Sequence, residues 1–523
     1  MSHQHIKKNM IEKEKLELSS DLTLIAKGAG IVFAGTLIGT ALKYLFDLFS
    51  ARILGPEMFG IFFICLAILR IMEVLSTGGV HNGALRFIAL FAGENDIPRI
   101  KGILLLSART GLIAGIPMAL LVILLAKPIA VHIFHNQDLT DPLRIIAIGI
   151  PFSALTMIFL YATQGFKVMK YRVYTREIYE PLVRLLFLVP VLLISWKLLG
   201  VIGIFIISLA VGTGLSYFYL KKLFPPFAQS QIIPVYETKK LYGFSWPLLL
   251  MGVLNLMIMW INILMIGRFL TEHKVGIFSP AHRTAFLAQT VLISFNSIFA
   301  PMISDLFNRQ QLGKLENLHK IVAKWMFTIN FPIILLMIIF SREILSLFGQ
   351  DYTEGTVSLI ILGLAYLTNS LIGSTEHIIM MTGKSQINFF NSLTLLSAIV
   401  VLNIILIPKY GIEGAAYSTL ISFGLMNIIR LLEVRFSLKI HPYTIRFLKP
   451  VFAGGISGGL LFILKKYIIL TDSPLLLMVS GAVIFLGAYI LILIFSGIDE
   501  EDKMIWNKLK RKLLNKSMIK EDR

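Results

Sequence analysis

The chain is poor in the residues that soluble proteins and enzymes depend on. Among 523 residues there is one cysteine, Cys65, so no intrachain disulfide can form and no cysteine metal cluster can be built. Its place in an apolar run reads as that of a small packing residue. Charged residues make up only 15%, against about 25% in soluble domains. No H-E-x-x-H pattern occurs. Gly383-Lys384-Ser385 resembles the end of a phosphate-binding loop, but the position where its first glycine belongs is Ile378, and no strand precedes it. Nothing here suggests a catalytic constellation or a cofactor site. Transport driven by an ion gradient, by the membrane potential or by the substrate's own gradient remains open.

What is abundant is apolar sequence. Hydrophobic residues reach 56% and the mean hydropathy is +0.78. Stretches long enough to cross a ~30 Å hydrocarbon core as a helix, about 20 residues each, recur from residue 28 to 496. They fall at 28–50, 58–79, 102–126, 144–164, 178–196, 201–220, 243–266, 276–300, 325–340, 356–377, 389–407, 412–434, 450–468 and 475–496. The expected fold is an all-α polytopic membrane protein with about 14 transmembrane helices. The runs are too long and too rich in Leu and Ile for barrel strands. Residues 1–27 are polar and show no cleavable signal peptide. They read equally as a helix on the membrane surface or as a disordered segment.

The net charge of +19 is distributed as topology. With the N-terminus inside, the cytoplasmic segments hold 33 Lys and Arg and the outer segments 9. That bias places both termini in the cytoplasm and requires an even number of spans. It also removes the reason to read the basic charge as nucleic-acid binding.

Two halves match at an offset near 216. Arg52-Ile53-Leu54 with Gly60-Ile61-Phe62 is echoed by Arg268-Phe269-Leu270 with Gly276-Ile277-Phe278; Pro117 by Pro332; Gly200 and Gly203 by Gly411 and Gly414. Repeats of six spans keep one orientation and relate by an axis along the membrane normal, with a substrate cavity expected between the two lobes. The expected organisation is a cytoplasmic segment (1–27), an N-lobe (28–222), a cytoplasmic linker (223–241), a C-lobe (242–435), spans thirteen and fourteen (436–498) and a basic cytoplasmic tail (499–523). Gly454, Gly455, Gly458 and Gly459 give span thirteen a small-residue packing surface.

Seven basic residues lie inside spans: Lys43, Arg70, Arg109, Arg144, Arg184, Arg283 and Arg430. Each costs about 2.5–3.5 kcal/mol at a helix centre and should face protein or water. Arg144 and Arg430 sit near boundaries and can snorkel. Arg184 is four residues from Glu180, as an ion pair would be. Arg70 is near the midplane with Glu73 three residues on. Lys43 has Asp47 four residues on. Arg283, beside His282, has no acidic neighbour within a turn. Lys43, Arg70 and Arg283 together suit an anionic headgroup, because guanidinium grips phosphate bidentately. The competing reading is a set of interhelical ion pairs. Asp47 and Glu73 are alternatively carriers of a coupling ion, Na+ or H+.

Arg52-Ile-Leu-Gly-Pro56 with Phe59-Gly60, Val275-Gly-Ile-Phe-Ser-Pro-Ala281 with Arg283, Pro301-Met-Ile-Ser304, and Leu402 through Ala416 together resemble the polysaccharide biosynthesis flippases of the multidrug/oligosaccharidyl-lipid/polysaccharide exporter superfamily. The resemblance covers roughly residues 24–496. It implies two pseudo-symmetric six-helix lobes plus two C-terminal helices in the cell membrane. It also implies movement of polyprenyl-diphosphate-linked oligosaccharide from the inner to the outer leaflet by alternating access. Arg283 and Arg52 match basic positions of related peptidoglycan-precursor flippases, whose last two spans are thought to hold the lipid tail. The implied partners are the lipid-linked glycan, membrane lipid, and glycosyltransferases or a polymerase of the same pathway. Rival readings are a peptidoglycan lipid-precursor flippase, a cation-coupled multidrug exporter and a membrane scaffold for glycan enzymes.

Overall fold

The computed structural model describes residues 2–194, 196–229, 231–467 and 473–497; the expected basic tail lies outside the described residues. Helices make up the fold, and no strand occurs among the described residues. Among the described residues, ten helices are long and apolar enough to cross a membrane, or eleven with a bent pair counted as one span.

The first helix, α1 (Ser2–Thr77), shows how spans are joined. Its stretch Ala34–Thr77 has 44 residues. That is roughly 66 Å at 1.5 Å per residue, about twice a hydrocarbon core. The break is at Gly55, whose φ of 70° and ψ of 171° are non-helical. Glycine meets no Cβ penalty there, and Pro56 disfavours α geometry in the residue before it. Helix Ser385–Leu438 repeats the device at Gly411 (φ 62°, ψ −137°). Each long helix thus covers two of the spans expected from sequence.

The chain divides into two compact units, Met1–Gly276 and Ile277–Arg523. In the first, α1 is followed by α2 (Val80–Gly93), which falls between two of the expected spans, and by α3 (Ile97–Pro128). The α3 start is set by Asp96, which accepts the Arg99 amide at 3.0 Å, and by Pro98 in the first turn. Then come α4 (Thr140–Ala147), α5 (Gly149–Gly165), α6 (Lys170–Arg172), a π-helical stretch Val173–Tyr179, α7 (Glu180–Ile194), α8 (Lys197–Leu223) and α9 (Thr238–Phe269). Phe87, Ile88 and Phe91 of α2, Ile103 of α3, Ile158 and Phe159 of α5 and Leu241 of α9 form one core. The α2 residues recur at three- and four-residue spacing, so a short amphipathic helix seals this end of the unit.

Where α1 resumes after its kink, Gly60 packs against the backbone of Glu272 and Gly276, and Gly276 against the backbone of Pro56. Gly60 and Gly276 are 216 residues apart, as are Pro56 and Glu272, so the contact joins positions equivalent in the repeat.

The second unit contains most of α10 (Glu272–Asn308), then α11 (Leu312–Ile339), α12 (Ser341–Ser346), α13 (Thr356–Ile372), α14 (Thr375–Met381), α15 (Ser385–Leu438), α16 (Leu448–Tyr467) and α17 (Pro474–Phe495). The last two helices pack on α11. Phe340, Leu461 and Phe485 form their shared core. Tyr489 donates its hydroxyl to the Thr328 carbonyl at 2.9 Å, and Lys465 pairs with Glu343 at 2.8 Å. Only half of the expected glycine surface is used: Gly454 and Gly458 meet α11 side chains, while Gly455 and Gly459 face open space.

Candidate functional site

The polar side chains of the first unit converge on one place inside the helices. Glu73 of α1 is its hinge. Its Oε2 accepts Arg70 Nη1 at 2.6 Å and its Oε1 accepts Arg176 Nη2 at 2.6 Å. Arg176 also donates to the Ser153 carbonyl of α5 at 3.1 Å and lies 3.7 Å from Glu180. Glu180 in turn accepts Arg184 at 3.0 Å. Arg184 Nε donates to Ser208 of α8 at 2.8 Å, and its guanidinium lies 3.9 Å from the centre of the Phe205 ring. The result is a ladder of alternating Arg and Glu running from α1 to α8. Beside it, Lys43 Nζ pairs with Glu177 Oε2 at 2.6 Å. Asp47 is buried one turn from Lys43 on α1.

Several sequence expectations change here. Lys43 pairs with Glu177, 134 residues away, while Asp47 is buried one turn along the same helix. Arg176 falls between the expected spans 144–164 and 178–196, on the side that the Lys/Arg distribution makes cytoplasmic. The π-helical stretch carries it into the unit's interior instead, because its one extra residue per turn re-aims the side chains that follow. The expected pairs Arg70–Glu73 and Arg184–Glu180 are present. Arg70 and Lys43 are therefore not standing as bare cations. Counted with Asp47, whose charge acts on Arg184, four bases (Lys43, Arg70, Arg176, Arg184) stand against four acids (Asp47, Glu73, Glu177, Glu180), so the cluster is formally neutral. Lys43 still keeps 41% of its side-chain surface exposed, whereas Glu73 keeps 6%.

The remaining in-span bases are scattered. Arg109 lies 5.6 Å from the Tyr236 ring centre, and the exposed Arg144 pairs with Asp141 at 3.2 Å. Arg430 does not snorkel. It is buried in the second unit and pairs with Glu376 at 3.1 Å. Arg283 is half-buried on α10, between Ala281 and Thr284, both of which are buried. Arg52 stands exposed three residues before the Gly55 break. No group of three or more potential metal ligands occurs among the described residues.

Comparison with known proteins follows the same lines. An uncharacterized membrane protein of Methanocaldococcus jannaschii, MJ1068, is 23% identical over 483 residues, which is 89% of this chain and 94% of that protein. The probable low-salt glycan biosynthesis flippase Agl15 of Haloferax volcanii is 26% identical over 32% of this chain and 36% of its own length. The solved structure of the lipid II flippase MurJ in an inward closed conformation shares this fold. Its TM-score is 0.68 at 15% identity, covering 88% of this chain and 98% of that one. A second family, MatE, matches residues 247–408. The family described as polysaccharide biosynthesis protein matches residues 25–307, more than half of the chain, and this multi-pass membrane protein belongs to it.

Proposed function

We propose that the chain is a flippase. It carries polyprenyl-diphosphate-linked oligosaccharide from the inner to the outer leaflet of the cell membrane by alternating access. It does so without ATP and without catalysing a covalent reaction. Both termini lie in the cytoplasm. The family match over residues 25–307 carries this reading, and relatives named as a probable low-salt glycan biosynthesis flippase and a probable flippase support it. The need is physical: a sugar diphosphate loses its hydration in hydrocarbon, and fixed polar groups must replace that water. The prenyl tail stays in lipid throughout.

In this reading Arg283 grips the diphosphate. Lys43 and Arg70 assist only when they exchange a carboxylate for a phosphate, since a neutral cluster offers an anion no net attraction. Glu177 and Glu73 must then be released or neutralised. Uptake of H+ or Na+ at these acids, or at Asp47, is the natural coupling. Arg52 offers the head a further cation at the outer end of the first span. The multidrug-exporter alternative needs an acid available to a cationic drug. Glu73, one of its two candidates, is held by two guanidinium groups.

Arg283→Ala is expected to accumulate the lipid-linked intermediate on the inner face, at normal protein levels in the membrane. Loss of a bidentate, charge-assisted contact costs about 1.5–3 kcal/mol, so export should fall roughly tenfold or more. Unchanged surface glycan in this variant would remove Arg283 from the mechanism.

A further inference from the structure

The first unit holds a cavity of about 730 Å³, and no residue of the ion-pair ladder is among those lining it. Three breaks in the helices build it: the resumption of α1 after Gly55, the 3-10 turn Gln137–Leu139 before α4, and the start of α8. All three belong to segments that the Lys/Arg distribution places on the outer side. Its lining includes Glu57, Asp138, Trp196 and Lys197, with Met58 and Ile61 as apolar wall.

We infer that this cavity is an outward-facing carbohydrate site that receives the sugar head after translocation. The inference rests on the flippase reading above. The volume lies within the ~300–1,000 Å³ of small-molecule sites and is enough for a short oligosaccharide. Trp196 is 66% exposed and lies on the cavity lining. Its indole face is free to stack on the C–H face of a pyranose. Glu57 and Asp138 are exposed acceptors for sugar hydroxyls. A Trp at the membrane–water boundary is common by itself, but a boundary anchor requires neither a cavity nor two carboxylates beside it.

Charge decides which part of the substrate fits. Two carboxylates against one ammonium leave the cavity net negative, which repels a diphosphate and accepts a neutral or amine-bearing sugar. The apolar wall suits the same ring faces that Trp196 stacks on. A site of this kind on the arrival side holds the carrier in its outward form while the head is bound, by its higher affinity in that form; the direction of net export is set by the substrate's own gradient or by the coupled ion.

The test uses the protein in cells that make their own glycan. Cys65, the sole cysteine, is buried, so the parent protein gives a blank with a membrane-impermeant maleimide. Leu199→Cys places a thiol on the cavity wall. It should label from outside, and about fivefold more slowly in glycan-making cells than in cells lacking the pathway's first glycosyltransferase. That is the protection given by 1 + [L]/Kd when ligand is about four times Kd. Adding Trp196→Ala, or Glu57→Gln with Asp138→Asn, should abolish the difference and lower export at unchanged protein level.

No labelling from outside, or equal rates in the two strains, would overturn the inference; equal slow rates point to membrane lipid as the occupant. The flippase reading fails separately, if cells lacking this protein still display the glycan. It survives loss of the cavity's role if Arg283→Ala still blocks export.

Discussion

Glu73→Gln should destabilise the protein by about 3–5 kcal/mol, the range for removing one partner of a buried ion pair. Glu73 accepts two guanidinium groups at 2.6 Å each and is almost sealed from solvent. Glutamine keeps the shape but not the charge. Its single amide oxygen accepts Arg70 or Arg176 but not both as the carboxylate does, and Arg70 otherwise faces the Phe205 ring at 5.9 Å. Arg176 falls back on Glu180 and one carbonyl. The readout is the thermal midpoint of detergent-solubilised protein, together with the amount of folded protein in the membrane. If the loss comes from uncompensated charge, Glu73→Gln combined with Arg70→Gln should be more stable than Glu73→Gln alone. Asp141→Asn breaks an exposed pair with Arg144 and should cost no more than about 1 kcal/mol. A Glu73→Gln midpoint equal to that of Asp141→Asn would show that the ladder contributes little.

The ladder was only partly legible in sequence, for a definable reason. Arg70–Glu73 and Arg184–Glu180 lie three and four residues apart on one helix, so helical geometry alone pairs them. Lys43–Glu177 joins residues 134 apart, and nothing local marks it. Arg176 was missed because its neighbours Tyr174, Thr175, Glu177 and Tyr179 interrupt the apolar run. Hydropathy therefore assigns the stretch to a loop, and the π-helical turn that buries it has no simple sequence signature. The pairing of Arg430 was not legible for a similar reason, since its partner Glu376 lies on another helix. The spans themselves were legible because backbone groups in lipid must be satisfied within a helix, which leaves long apolar runs as a nearly unavoidable mark. Their joints at Gly55 and Gly411 are written as glycine near proline, a weaker signal that hydropathy averages over.

The repeat carries the second large prediction. Gly60→Ala and Gly276→Ala should each cost more than almost any other single-methyl change in the chain. A Cβ on Gly60 would overlap the Glu272 carbonyl oxygen, and one on Gly276 would overlap that of Pro56. The obstructing atoms are helix backbone, which cannot swing aside as a side chain can, so two helices must separate along their crossing. Overpacking of this kind costs about 1–3 kcal/mol, and more where backbone must move. Gly214→Ala is the control: it is also helical but meets nothing within 4 Å, so it should be neutral or slightly stabilising. Equal midpoints for Gly60→Ala and Gly214→Ala would defeat the prediction. The contact is also reciprocal. Glu272 is the repeat equivalent of Pro56, and Gly276 that of Gly60, so each glycine faces the partner of the other, as across a two-fold axis. One methyl on either side already forces the crossing open. The double variant should therefore lose clearly less than the sum of the two singles, because both changes load the same contact. Strict additivity would mean that the two glycines are independent packing sites and that their shared offset has no mechanical meaning.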